Sequence, residues 1–180
     1  MLQKSYVFLT SDHGEMFERG ILGHMTPSLH QPVIHIPLVI FPPGQTSRLD
    51  IYQPTSAVDV LPTLAQIAAQ ESPSWSEGQV LPPFADSNSS LPTDIFAVQI
   101  EKTSEQNHIT QGTLMLVRAP HKLIWFFGYP QLAPESEWVE LYDLSADPQE
   151  LHNLAVEQPI LAADLLTTAK ARLAAMDQPG

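Results

Sequence analysis

The pattern of apolar residues changes once along the chain, and this change constrains the fold more than any other feature. In the first part, residues 6–10 and 36–41 are short continuous apolar runs, which are typical of β-strands covered on both faces. Later the sequence becomes rich in β-formers with alternating polarity, over residues 95–100, 113–118, 122–127 and 138–142. Such alternation predicts antiparallel strands, with a tight turn at residues 119–121. We therefore expect an α/β first part and an antiparallel β second part.

Two helices are expected beside these strands. Residues 57–68 place apolar side chains on one face, and Pro62 fixes where this helix begins. With Asp59 as N-cap, Pro62 is the third helical residue, whose N–H has no intrahelical partner in any case. A second helix is expected to open at Pro159. Residues 72–94 are rich in Pro and Ser, so we interpret them as a surface loop.

The composition excludes several classes of function. Eight Lys and Arg against 20 Asp and Glu give a formal net charge of −12, which repels nucleic-acid phosphates and anionic lipid surfaces. The absence of Cys excludes disulfides, thiolate metal sites and a thiol nucleophile in this chain. No apolar run reaches the roughly 20 residues that span a bilayer, and the first residues do not resemble a signal peptide. We expect no nucleic-acid partner and no membrane contact; the compartment is left open.

The chemistry concentrates at residues 10–15, which read TSDHGE. A strand that ends in Asp12-His13 places a carboxylate and an imidazole at its carboxyl end, where open α/β sheets bind ligands. Gly14 then permits a sharp turn. An oxygen donor beside a nitrogen donor suits Zn, Mn or Fe, whereas an all-oxygen set favours Ca or Mg. The alternative interpretation is that Asp12 only caps a turn.

Four blocks of sequence, in order, resemble the sulfatase family of the alkaline-phosphatase superfamily. The first joins TSDHGE to GILGH at residues 20–24 and IPLVI at residues 36–40; the second is SAVDVLPTL at residues 56–64. The third and fourth are ELYDL at residues 140–144, with Asp147, Pro148 and Glu150, and NLA at residues 153–155. The chain is thus identified as similar to the carboxyl-terminal part of that family.

The resemblance implies an α/β fold: a partial alkaline-phosphatase-like sheet with helices, then a small antiparallel β subdomain and a C-terminal helix. Residues 1–71 would be the carboxyl-terminal part of the catalytic domain, residues 72–94 the loop, and residues 95–180 the β subdomain with its terminal helix.

The resemblance also implies roles for particular residues. Asp12 and His13 would be ligands of one divalent metal ion, either Ca²⁺ or Mn²⁺/Zn²⁺, in a site that this chain alone leaves incomplete. His24 would contact the anionic group of the ester, where a cation or N–H donor stabilises developing charge, or would donate a proton. Otherwise His24 is a loop histidine bonded to a carbonyl. Glu15 is either a carboxylate that orients His13 or a solvated charge, and His30 and His35 are weaker candidates.

The nucleophile expected from the resemblance is not found in this chain. Sulfatases use a formylglycine made in a C/S-x-P-x-R segment, and neither Cys nor that segment occurs here. We expect it in an upstream part, so that this chain alone is inactive. Three functions stay open: a hydrolase of sulfate esters, a relative acting on phosphodiesters or phosphonate esters or transferring phosphoryl groups, and a non-catalytic relic or binding module. The expected partners are the ester substrate and either an upstream half or a second copy of the chain.

Overall fold

The computed structural model describes residues 4–24, 27–85, 94–132 and 137–177. The chain divides into two compact units, Met1–Ser47 with Ala97–Gly180 and Arg48–Phe96. Within the described residues, no helix is both long enough and apolar enough to cross a membrane.

A two-stranded antiparallel sheet opens the first unit. Strand β1 (Val7–Thr10) pairs with β2 (Leu38–Phe41), so that Val7 lies opposite Phe41. The short helix α1 (Gln31–Ile34) precedes β2. Cover on both faces was predicted for these strands, but Leu9 is 57% exposed and Phe41 54%. The prediction is wrong for this chain because, among the elements that the structure describes, β1 and β2 pack mainly against each other and their faces stay largely open to solvent.

A four-stranded sheet follows, with its strands in chain order. It comprises β3 (Ile95–Thr103), β4 (Ile109–Arg118), β5 (His121–Phe127) and β6 (Glu137–Asp143). Arg118 pairs with His121, so the turn between β4 and β5 is as tight as predicted. The four predicted antiparallel strands are confirmed. Each is longer than its apolar run because the backbone hydrogen bonds between strands continue into the flanking polar residues.

The two faces of β5 and β6 have different neighbours. Helix α3 (Pro159–Met176), which begins at the predicted proline, contacts β4, β5 and β6. Its Lys170 ammonium lies 5.2 Å from the Trp125 ring centroid and 3.0 Å from a Glu137 carboxylate oxygen. Side chains alternate between faces along a strand. Lys122, opposite Tyr142 in the register, therefore points to the other face.

In the second unit, a 3-10 turn (Ala57–Asp59) that is closed by a capping box of Ser56 and Asp59 leads into helix α2 (Val60–Ile67). Asp59 precedes the helix and Pro62 is its third residue, as predicted. The buried Asp59 carboxylate accepts the N–H groups of Ser56 at 2.8 Å and Gln79 at 2.9 Å. The hydroxyl of Thr63 accepts the N–H of Leu81 at 2.8 Å. These bonds to polar side chains fix the loop at residues 79–81 against the helix.

Candidate metal and catalytic site

The candidate site begins directly after β1, with the carboxylate of Asp12. This side chain is 86% exposed, and its Oδ1 accepts the backbone N–H of His13 at 3.0 Å. That hydrogen bond holds the pKa of the Asp12 carboxyl below its usual range. Its second oxygen, Oδ2, lies 3.6 Å from Nε2 of His13. Asp12 therefore offers an ionised oxygen donor to solvent beside an imidazole nitrogen.

Gly14 fixes the turn on which His13 lies. Its N–H donates to the carbonyl of Val33 at 2.7 Å. A Cβ at this position would overlap the carbonyl oxygen of Pro32 and lie 3.1 Å from its carbonyl carbon. Only glycine permits so close an approach of the two backbones, so the turn is seated directly on α1.

The hydrogen bond of the His13 ring determines which nitrogen is free. Nδ1 lies 2.9 Å from the carbonyl oxygen of Gly14. A carbonyl only accepts, so Nδ1 carries a proton, and in the neutral ring Nε2 keeps its lone pair. A backbone carbonyl that fixes the tautomer in this way is a usual partner of metal-binding histidines. His13 is thus arranged to offer Nε2 as a ligand.

A short backbone bridge brings His24 to the same place. Met16 and Gly23 exchange antiparallel hydrogen bonds of 3.3 and 2.8 Å, which sets Glu15 opposite His24. Nδ1 of His24 lies 2.9 Å from a Glu15 carboxylate oxygen. The rings of His13 and His24 are 3.8 Å apart between centroids. Two imidazoles therefore stack at the end of β1, one of them tied to a carboxylate.

The side chains of His13, Glu15 and His24 present a donor set that fits a divalent metal. One donor atom from each lies within 4.8 Å of the others, and no second such group occurs among the described residues. Two nitrogens and one carboxylate oxygen suit Zn²⁺ or Mn²⁺ better than Ca²⁺, which prefers oxygen ligands. Asp12 is outside this group of three, although it is adjacent to His13.

Sequence reasoning did not foresee the partner of Glu15. Its carboxylate was considered for orienting His13, but the structure pairs it with His24 instead. The two glycines within the segment between Glu15 and His24 could have indicated this contact. Gly20 and Gly23 both adopt positive φ, at 72° and 99°, and such residues favour a chain reversal that would oppose residues 15 and 24.

The other histidines lie away from this cluster. His30 is buried, with Nδ1 2.7 Å from the Ser28 hydroxyl and Nε2 3.0 Å from a carboxylate oxygen of Glu140. Burial opposes the charge on Glu140, but the hydrogen bond and charge of His30 and the hydrogen bonds of Trp138 and Tyr142 together outweigh it, and the pKa of Glu140 is lowered. His35, the other weaker candidate, is exposed at the end of α1, and β2 begins only after Pro37.

Comparison with known proteins identifies the family of this chain. Residues 26–178 match the family model described as N-sulphoglucosamine sulphohydrolase, C-terminal. The chain is 32% identical over 170 residues to arylsulfatase K of Rattus norvegicus, which covers 92% of this chain and 29% of the relative. It is 35% identical over 159 residues to choline-sulfatase of Rhizobium meliloti, strain 1021, covering 86% of this chain and 28% of the relative.

A solved structure shows the same fold. The phosphonate monoester hydrolase from Silicibacter pomeroyi superimposes with a TM-score of 0.73 at 23% identity, over 98% of this chain and 36% of that one. The chain belongs to the sulfatase family and corresponds to its carboxyl-terminal part. It spans less than a third of the length of these two curated relatives.

Proposed function

We propose that this chain is the carboxyl-terminal part of a metal-dependent hydrolase of sulfate esters. One observation supports this most: in a sulfatase-family chain, the exposed Asp12 carboxylate lies 3.6 Å from Nε2 of His13 just after β1, and the His24 ring lies 3.8 Å from the His13 ring between centroids. Relatives at 32% and 35% identity are named arylsulfatase K and choline-sulfatase. A bound divalent ion would stabilise negative charge on the ester's oxygens. It would also supply local positive charge in a chain whose net charge is −12.

In this proposal Asp12 and His13 hold the metal, and His24 acts on the substrate. The His13 tautomer leaves Nε2 for the ion, and Asp12 adds a negative oxygen beside it. Glu15 fixes the ring of His24 through Nδ1, which leaves its Nε2 to contact the anionic group or the leaving oxygen. The nucleophile is assigned to no residue of this chain, which has no Cys. The chain alone is therefore proposed to be inactive.

Titration calorimetry of the 180-residue chain with Zn²⁺ and Mn²⁺ tests the ligand assignment. His13→Ala should weaken binding by 10-fold or more, roughly the least that the loss of a ligand produces. His35→Ala is the matched control, since it removes an exposed imidazole outside the cluster. Equal affinities for the parent chain and both variants would contradict the metal site.

A further inference from the structure

A buried ion pair lies on the face of the second sheet that points away from α3. The Lys122 ammonium is 2.5 Å from Oε1 of Glu150, and neither side chain is accessible to solvent. Burial lowers the pKa of Lys122, and the charge of Glu150 opposes that shift. A buried ion pair is seldom needed for stability, because apolar residues of similar size often serve as well. Stability alone therefore does not explain why the Glu150 carboxylate is buried.

The other oxygen of Glu150 makes a contact with a distant part of the chain. Oε2 accepts the N–H of Gln31, the first residue of α1, at 2.7 Å. The preceding residue, His30, makes no capping bond with its side chain. The guanidinium of Arg19 donates to the backbone carbonyls of Gln149 and Glu150. The turn that carries Glu150 thus binds both α1 and the segment between Glu15 and His24.

Helix α1 connects the hydrogen bond between Glu150 and Gln31 to the candidate metal site. The carbonyl of Val33 accepts the N–H of Gly14 at 2.7 Å, and the carbonyl of Pro32 fills the space where a Cβ of Gly14 would lie. A displacement of α1 would therefore move the Gly14 carbonyl that orients Nδ1 of His13. Three hydrogen bonds connect Glu150 to the His13 ring: from the N–H of Gln31 to Glu150, from the N–H of Gly14 to Val33 of the same helix, and from Nδ1 of His13 to the Gly14 carbonyl.

We propose that Glu150 is a positioning residue for the His13–Glu15–His24 cluster, and that it acts through its hydrogen bond with the N–H of Gln31. The metal part of this inference rests on the proposed function. The geometric part does not, because the position of Gly14 and of the His13 ring is measurable without metal. Lys122 holds the carboxylate in place through the ion pair with Oε1.

The test removes the N–H of Gln31 without changing Lys122 or Glu150; the proline Cδ that takes the place of the hydrogen also displaces Oε2, which lies 2.7 Å from that nitrogen. Gln31→Pro deletes the donor at a first helical position, where proline fits, and His30 already has the extended conformation that a following proline requires, with ψ of 161°. Gln31→Ala is the matched control, because it shortens the side chain and keeps the N–H. Both variants are compared with the parent for melting temperature, amide exchange of Gly14, the His13 ring signal in NMR spectra, and Zn²⁺ affinity.

We expect Gln31→Pro to speed exchange of the Gly14 amide by about 10-fold or more, to shift the His13 ring signal, and to weaken Zn²⁺ binding about 10-fold. Gln31→Ala should match the parent. Identical Gly14 exchange and His13 signals in the two variants would overturn the proposal. If the parent does not bind Zn²⁺, the proposed metal site fails, and the exchange and ring signals still decide the positioning role.

A second pair of variants tests the same hydrogen bond by changing Glu150 instead of Gln31. Lys122→Met with Glu150→Gln removes both charges but keeps an acceptor for the Gln31 N–H, whereas Lys122→Met with Glu150→Leu removes the acceptor as well. Only the Leu variant should reproduce the Gly14 and His13 changes. Equal changes in the two double variants would show that the charges matter and the hydrogen bond does not, which contradicts the proposal.

Discussion

Gly14→Ala would place a methyl group where the backbone of α1 already lies. The new Cβ would overlap the carbonyl oxygen of Pro32 and lie 3.1 Å from its carbon and 3.4 Å from the Cα of Val33. These are backbone atoms, so no side chain can rotate away. To reach ordinary contact distance, the turn and α1 must separate by roughly 1.4 Å.

The expected loss in the free energy of unfolding is estimated from the packing and the hydrogen bond that this separation disturbs. Overpacking costs about 1–3 kcal/mol, and the hydrogen bond from Gly14 to Val33 is worth about 1 kcal/mol. We expect the free energy of unfolding to fall by about 2–4 kcal/mol. Zn²⁺ affinity should fall by about 10- to 100-fold, since the displaced carbonyl no longer orients His13.

Gly44→Ala is the control for this prediction. Gly44 adopts φ of 75°, and an added Cβ would meet no atom within 4 Å. This variant should lose about 1–2 kcal/mol from backbone strain alone and keep the metal affinity of the parent. Chemical denaturation and titration calorimetry measure both quantities. A Gly14→Ala variant that binds Zn²⁺ as tightly as Gly44→Ala would refute the reasoning.

Further outcomes are expected from single substitutions. Asp12→Ala should weaken Zn²⁺ binding without lowering the melting temperature, since its carboxylate is 86% exposed; unchanged affinity would remove Asp12 from the ligand set. In an active assembly with an upstream half, His24→Ala should lower turnover by roughly 100-fold at constant metal content, whereas loss of metal would make His24 a ligand. The folded pKa of Glu140 is lowered, so its contribution to stability is present above its unfolded pKa of about 4.3 and is lost as the pH falls through the folded value. Glu140→Gln should therefore flatten the acid limb of a stability–pH curve, and a limb as steep as that of the parent would argue against the bond with His30. The chain should self-associate through its exposed β1–β2 sheet, and Phe41→Lys should reduce the sedimentation coefficient at high concentration; a parent that stays monomeric would exclude this contact.

The regular elements were predictable because local pattern decides them. Alternating polarity located the four strands of the second sheet, and Pro62 and Pro159 located the two longer helices, since each proline fits only the first turn. The solvent-facing side of α2 was not predicted well. Leu61 and Leu64 are exposed, whereas Pro62 and Thr63 are buried against their own unit. Periodicity identifies an apolar face but not the neighbour that covers it.

The candidate site was predictable only in part, because its contacts are not local. Asp12 and His13 are adjacent, so the sequence reveals them together. Glu15 and His24 are nine residues apart and meet through a bridge that no apolar pattern marks. Glu150 lies 119 residues from Gln31. Sequence alone, without the fold, does not place the Glu150 carboxylate beside the backbone of α1.

Turnover by a reconstituted assembly tests the central claim most directly. The chain would be co-expressed with the upstream part of the choline-sulfatase from Rhizobium meliloti, and the purified complex assayed with 4-nitrophenyl sulfate and bis(4-nitrophenyl) phosphate, before and after metal removal. We expect hydrolysis of the sulfate ester that is lost with the metal and restored by adding it back. We also expect no hydrolysis by the chain alone. A metal-loaded complex that hydrolyses only the phosphodiester, or whose sulfatase activity survives metal removal, would contradict the account.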